Sequence, residues 1–267
     1  MRVSNLVVLS GLILQIAGCA SPSQRIDEQA AALGYRRLVV QGQGYEHVVY
    51  IKGSATADSA LHVYLEGDGT PWLRKRVAAS DPTPRTALMF ELMSLDPAPS
   101  VYLGRPCYHG LSKSKDCTPD LWTESRYSEA VVASMVSALN RVAPDHQTLI
   151  LLGYSGGGVL AMLMAERLPQ TRAVITVAAN LDTARWTELH DQPTLTGSLN
   201  PARRPPLPGH LKQLHIAGEQ DDNVPPKLIR DAIAHQPGAT YQVMPGQDHR
   251  CCWRVVWPAV LAEVEAL

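Results

Sequence analysis

Apolar positions along this chain gather into short runs separated by polar stretches rich in glycine and proline. Arg37–Val40 and His47–Ile51 flank the turn Gly42-Gln43-Gly44 and predict an antiparallel strand pair. Leu61–Leu65, Ser100–Gly104, Leu149–Leu152, Ala173–Ala178, Leu211–Ala217 and Tyr241–Met244 predict further strands. Between and after them lie helical patterns. Thr86–Leu95 is an apolar helix stopped by Asp96-Pro97. Glu124–Val142 reads as an amphipathic helix with Val131, Met135 and Leu139 on its apolar face, and Val159–Leu168, Pro225–His235 and Trp253–Leu267 are three more. From the third strand onward strands alternate with helices, which predicts an α/β fold with a mostly parallel sheet covered on both faces. Residues 182–210, after the sixth strand, are proline-rich and polar without periodicity, and read as a short insertion able to wall an entrance. Neither a repeat nor a second domain is visible.

The most constrained stretch is Leu149-Ile150-Leu151-Leu152-Gly153-Tyr154-Ser155-Gly156-Gly157-Gly158. A buried strand runs into Gly-x-Ser-x-Gly and straight out into an apolar helix. Small residues are needed on either side because strand and helix close tightly on each other. The turn exposes the Ser155 hydroxyl and aims the free N–H groups of a helix N-terminus at the same spot. What makes the motif specific is this strand-before, helix-after context. It resembles the nucleophile elbow of the α/β-hydrolase superfamily, and the likeness runs from about Leu38 to Leu267.

A serine hydroxyl is a weak nucleophile that needs a general base, itself oriented by a carboxylate. The resemblance implies the chain order serine, acid, histidine. Of nine histidines, only His235 and His249 follow the acids near residue 221. His235 belongs to a helix, whereas His249 lies in a loop just past the last strand, where open α/β sheets form ligand sites. Gly218-Glu219-Gln220-Asp221-Asp222-Asn223-Val224-Pro225 resembles the superfamily's acid segment and gives Asp221 the orienting role. An Asx turn capping the next helix is the alternative use of these aspartates. Asp182 is a lesser candidate for the acid, and Asp248, next to His249 in sequence, is expected to point elsewhere. The resemblance assigns the oxyanion donors to the backbone N–H groups of Gly156 and Asp68. Glu66-Gly67-Asp68-Gly69 departs from the family's pattern by carrying Glu where many relatives carry His. The Asp68 side chain is expected to turn away into a structural hydrogen bond. If it faced the pocket instead, it would select a cationic or hydroxyl-rich substrate. Trp72 and Tyr154 are candidates for the pocket wall, with plain core packing as the other reading. Arg105 and Arg126 could hold an acidic group or form a structural ion pair. The segments around Trp72, Arg105, Arg126 and Trp186 resemble a set of bacterial α/β-hydrolase-like proteins with no settled substrate.

Composition adds boundaries. At 267 residues and 45% hydrophobic content the chain can bury one large core. The formal net charge of -1 shows no basic excess, so nucleic acid is not an expected partner. Arg2 and the apolar segment Leu6–Ala17 form a signal-peptide pattern ending in Ile16-Ala17-Gly18-Cys19, which resembles the bacterial lipobox. It implies a signal peptide over 1–18, lipid on Cys19, a polar tether over 19–37 and the hydrolase domain over 38–267. Ala20 in place of Asp leans toward the outer membrane, facing the periplasm. In an exported chain Cys107 and Cys117, which enclose a short polar loop, are the expected disulfide. Cys251 and Cys252 could pair with each other, pair with the Cys107 loop, or stay as thiols. No metal site is expected, because no Cys-x-x-Cys/His spacing occurs. These readings together imply a cofactor-independent serine hydrolase acting on a small-molecule or lipid-like acyl ester and held at a membrane through Cys19. The rivals are a catalytically silent, lipid-anchored scaffold and an envelope peptidase or acyltransferase. Oligomeric state is left open.

Overall fold

The computed structural model describes residues 20–52, 59–74, 76–144 and 148–267. The signal-peptide segment and Cys19 lie outside them.

Eight strands form one sheet: β1 (Arg36–Gln41), β2 (Glu46–Ile51), β3 (Leu61–Leu65), β4 (Ser100–Leu103), β5 (Leu149–Tyr154), β6 (Thr171–Val177), β7 (Lys212–Gly218) and β8 (Ala239–Met244). Their order across the sheet is β1-β2-β4-β3-β5-β6-β7-β8. β2 runs antiparallel to both its neighbours, and every pairing from β4 to β8 is parallel. Trp72–Leu73 and Val77–Ala78 make a separate two-stranded ribbon.

Apolar runs in the central strands are continuous because both faces are covered. Along β5, Leu149 and Leu151 enter one apolar cluster while Ile150 and Leu152 enter the other. The first cluster is closed by α3 (Glu129–Val142) and α4 (Gly156–Ala165), with Ala232 and Ile233 from α6 (Pro226–Ile233). The second is closed by α1 (Pro22–Ala32), α2 (Leu88–Met93) and α7 (Trp253–Glu265). All ten residues of α4 are buried, so its sequence reads as a plain apolar run with no polar face.

Three segments differ from the sequence reading. Residues 19–37, expected as a tether, contain the 11-residue helix α1. Its capping box pairs the Ser21 hydroxyl with the Gln24 N–H and the Gln24 side chain with the Ser21 N–H, while Ile26 and Ala30 pack into the core. The folded body therefore reaches upstream of Leu38. The helix expected from Glu124 starts at Glu129, because the Ser128 hydroxyl accepts the Val131 N–H there. Within 182–210 lie α5 (Thr183–Leu189) and the single turn Pro201–Arg203, both too short to show a period. Asp182 caps α5 by accepting the Arg185 N–H, and the carboxylate that meets His249 is Asp221.

Cys107 and Cys117 are disulfide-bonded as expected, with Cα atoms 5.6 Å apart. Cys251 and Cys252 are bonded to each other. No helix among the described residues is long and apolar enough to cross a membrane.

Candidate active site

β5 delivers the chain to the elbow, and α4 carries it away with no connecting loop. Ser155 sits between them at φ +50°, ψ −123°, a backbone region that L-residues rarely occupy. Its N–H is held by the Val177 carbonyl at 2.9 Å. A Cβ on Gly153 would run into the Gly157 carbonyl, and one on Gly157 would run into the Leu65 carbonyl. Glycine is required at these positions by close approach.

The β8–α7 loop brings His249 to Ser155. His249 Nε2 lies 3.2 Å from Ser155 Oγ, and Nδ1 lies 2.8 Å from Asp221 Oδ2. The network assigns the proton to Nδ1, donating to the carboxylate, and leaves Nε2 free to accept from the hydroxyl. Asp221 is 3% exposed, and its Oδ1 accepts the Asn223 and Val224 N–H groups at 2.9 and 2.8 Å. The two readings of this aspartate are thus not exclusive: one oxygen builds the turn and the other faces the histidine. The His249 carbonyl accepts from the Tyr154 hydroxyl at 2.8 Å and from Trp253 Nε1 at 3.3 Å, and the Tyr154 ring lies 5.2 Å from the imidazole. The residue preceding Ser155 thereby anchors the loop that carries His249.

Across from the elbow runs the loop after β3. A Cβ on Gly67 would stand 3.2 Å from the Tyr154 ring and 3.4 Å from Ser155 Cβ. Gly69 takes φ +68°, and a side chain there would strike the Pro82 carbonyl. Glu66 is buried and accepts the Gly67 N–H at 3.0 Å and the Met89 N–H at 2.9 Å, which ties the strand end to α2. Burial pushes its carboxyl up to about 7, against the pull of those two N–H groups and of Arg105. The Asp68 side chain does make structural bonds, as expected. Its Oδ1 meets Arg105 at 2.8 Å, its Oδ2 meets Arg126 at 2.9 Å, and Tyr127 Oη donates to it at 2.7 Å. Tyr108 Oη holds the Asp68 carbonyl at 2.9 Å. Burial would raise the Asp68 carboxyl, but Arg105, Arg126 and Tyr127 hold it below its ordinary value.

Ser155 and His249 open onto a cavity of about 430 Å³ that Gly67, Asp68, Tyr154, Trp186, Asn223 and several charged side chains also line. Arg126 reaches it from below, and Arg85, Glu91 and Arg250 stand around it.

No family model and no curated protein matches the sequence. Solved structures do. The chain is similar to an alpha-beta serine hydrolase homologue from Coxiella burnetii, at 13% identity and TM-score 0.52, covering 87% of this chain and 97% of that one. It is similar to a proline iminopeptidase from Mycobacterium smegmatis, at 14% identity and TM-score 0.58, covering 86% and 96%. A hormone-sensitive lipase from a metagenome library aligns at 15% identity and TM-score 0.57, covering 92% and 93%. The chain has the α/β-hydrolase fold.

Placed in this α/β-hydrolase fold, the residues singled out from sequence divide clearly. His249 is within hydrogen-bonding reach of both Ser155 and Asp221, with Gly156 next to Ser155 and Asp68 lining the same cavity. Trp72 is a correction: it lies on the ribbon, 37% exposed, and is not part of the cavity wall. Trp186 takes that place, fixed by its Nε1 donating to the Asn223 carbonyl at 3.1 Å. It stands on α5, whose seven residues gave no periodic signal. His235 is hydrogen-bonded to the neighbouring Gln236 side chain, and Asp248 Oδ1 accepts the N–H groups of Arg250 and Cys251. Arg105 and Arg126, expected to hold an acidic group or form a structural ion pair, both pair with Asp68. Among the described residues no cluster of potential metal ligands occurs.

Proposed function

We propose that this chain is a cofactor-independent serine hydrolase that cleaves a carboxylic ester, with thioester and amide bonds open to the same machinery. The observation that carries this reading is the hydrogen-bonded series Ser155 Oγ, His249, Asp221 at the floor of a cavity. In the proposed reaction His249 Nε2 takes the proton as Ser155 Oγ attacks the acyl carbon. Asp221 holds the imidazole in the accepting tautomer and balances the charge that forms on it. The carbonyl oxygen, now negative, accepts from the Gly156 and Asp68 N–H groups. Proton return to the leaving group frees the alcohol, and water repeats the sequence to release the acid.

The cavity favours a modest, polar substrate over a long alkyl chain, since Arg85, Glu91, Arg126 and Arg250 stand around it. Lipid on Cys19 would hold the enzyme at the bacterial envelope, in the outer membrane facing the periplasm. The two disulfides support export, because such bonds persist in oxidising compartments. Loss of membrane partitioning in Cys19→Ala is the matching test.

A fluorophosphonate probe on the chain starting at Ala20, beside Ser155→Ala and His249→Ala, tests the activity. Rapid labelling of the wild type that vanishes in both variants is expected, with p-nitrophenyl ester turnover falling from acetyl to palmitoyl. A folded wild type that neither labels nor turns over esters would leave the scaffold reading in its place. Turnover of aminoacyl amides but not esters would favour a peptidase.

A further inference from the structure

A carboxylate is a poor neighbour for an oxyanion, yet the structure places one there. A Cβ on Gly156 would collide with Asp68 Oδ1 and with Tyr127 Oη, so the acid group lies directly against one candidate N–H donor and belongs to the residue that supplies the other. Left alone, its charge would oppose the negative charge that develops on the acyl oxygen. It is not left alone. Arg105 and Arg126, 3% exposed each, engage one oxygen apiece.

Asp68 receives more counter-charge than a single ion pair gives. Two guanidiniums, which do not give up their protons, face one carboxylate. Among the described residues, Arg105 Nε and Nη1 are buried without a hydrogen-bond partner, and the faces of Tyr108 and Tyr127 lie 5.8 and 5.5 Å from its guanidinium carbon. Glu66, the other acid nearby, holds the Gly67 N–H with one oxygen and the Met89 N–H with the other. Those neutral donors leave the Glu66 carboxyl to interact with Arg105 as well, so the second guanidinium is not a surplus charge. What the two arginines supply at Asp68 is a fixed counter-charge behind the loop that faces Ser155, and a fixed charge already in place needs no rearrangement when the transition state arrives.

We propose that Arg105 and Arg126 are positioning residues that cancel the field Asp68 casts on the oxyanion, while the same contacts fix the Asp68 N–H toward it. This rests on the serine-hydrolase reading above. An uncompensated Asp68 charge would oppose the oxyanion only once the tetrahedral intermediate forms. The cluster therefore acts on turnover more than on substrate binding. Asp68 is an anchor that is harmful without its arginines.

That last point gives a test that a simple structural staple fails. Turnover of p-nitrophenyl acetate and thermal melting are measured for the wild type, Arg126→Gln, Asp68→Asn and the double variant. With Arg126→Gln, kcat is expected to fall about 100-fold with KM within about threefold of wild type. Asp68→Asn removes the harmful charge together with the anchor, and is expected to lose about tenfold or less. The double variant should recover, reaching within about threefold of Asp68→Asn alone. Arg126→Lys, which keeps the charge, should retain most of the activity and guards against misreading a folding defect, as do the melting curves. Losses that multiply in the double variant, or a loss in Arg126→Gln seen in KM alone, would overturn the charge cancellation. So would unaltered kcat in a folded Arg126→Gln. A wild type that fails to label at Ser155 would instead bring down the hydrolase reading and this inference with it.

Discussion

Among the described residues are two serine–histidine contacts of the same polarity, and one of them resembles an active site. In the core, His47 Nε2 lies 2.7 Å from Ser134 Oγ, and His47 Nδ1 lies 2.9 Å from the Gly104 carbonyl. At the elbow the corresponding distances are 3.2 Å from Nε2 to Ser155 Oγ and 2.8 Å from Nδ1 to Asp221. By hydrogen-bond length the core pair is the tighter. Yet Ser134 and His47 are both fully buried, and Gly42 packs so closely that a Cβ there would strike both side chains. Nothing can approach that hydroxyl. Its histidine is backed by a neutral carbonyl, which cannot balance an imidazolium, and burial lowers the ring to about 4 although the Gly104 bond pulls the other way. A hydroxyl within reach of an imidazole is thus ordinary core satisfaction. Three things separate the elbow pair: a carboxylate behind the ring, a strained backbone that lifts the serine, and open space in front of it.

The contrast can be broken most directly by deleting each hydroxyl. Ser155→Ala is expected to cut ester turnover by about 10⁶-fold, whereas Ser134→Ala should leave turnover within about twofold, since that hydroxyl meets no cavity. Equal losses in the two variants would erase the distinction. The carboxylate is the next lever. Asp221→Asn can still accept the Asn223 and Val224 N–H groups through its amide oxygen, so the fold should survive. The histidine then loses its orienting charge, and kcat should drop by about 10⁴-fold. A drop under tenfold would show that the loop alone positions His249.

Acid sharpens the comparison from the other side. Burial depresses His47, His109 and His215 from 6.5 to about 4 in the folded chain. The unfolded chain takes up protons from about 6.5 downward while the folded chain refuses them until about 4. Stability from these three rings is therefore complete above 6.5 and is lost as pH falls through that window, by roughly 3 kcal/mol per ring once both states are protonated. Urea unfolding at pH 7.5, 5.5 and 4.5 should show a steep decline, shallower in His215→Gln. A flat profile would mean these rings are not held neutral. The smallest effect is the stability change in Ser134→Ala. Leaving His47 Nε2 without a partner should cost about 1–2 kcal/mol by the same unfolding measurement at pH 7.5.

Much of this architecture was legible along the chain because its causes are local. Apolar runs of strand length, such as Leu149–Leu152, announce a sheet buried on both sides. Gly153 and Gly157 announce the elbow because no other residue fits where the backbones meet. The order of Ser155, Asp221 and His249 pointed to three residues that the fold brings together at the carboxyl ends of β5, β7 and β8. The short spacing of Cys107 and Cys117 gave their bond. Helix α1 was harder to see, for its buried face amounts to Ser23, Ile26 and Ala30 among polar neighbours.

What the sequence determined by itself is most of the strands and helices, their alternation and the glycine-framed turn that presents Ser155, since periodicity and glycine placement act over a few residues. Only the tertiary structure decided that Trp186 and not Trp72 lines the cavity. It also decided that the acid in the loop after β3 is gripped by arginines from two other segments, and that Ser134 is sealed while Ser155 is open. Those outcomes depend on which distant surfaces meet, and no local pattern carries that information. Asp68 is 58 residues from Arg126, yet they share a hydrogen bond.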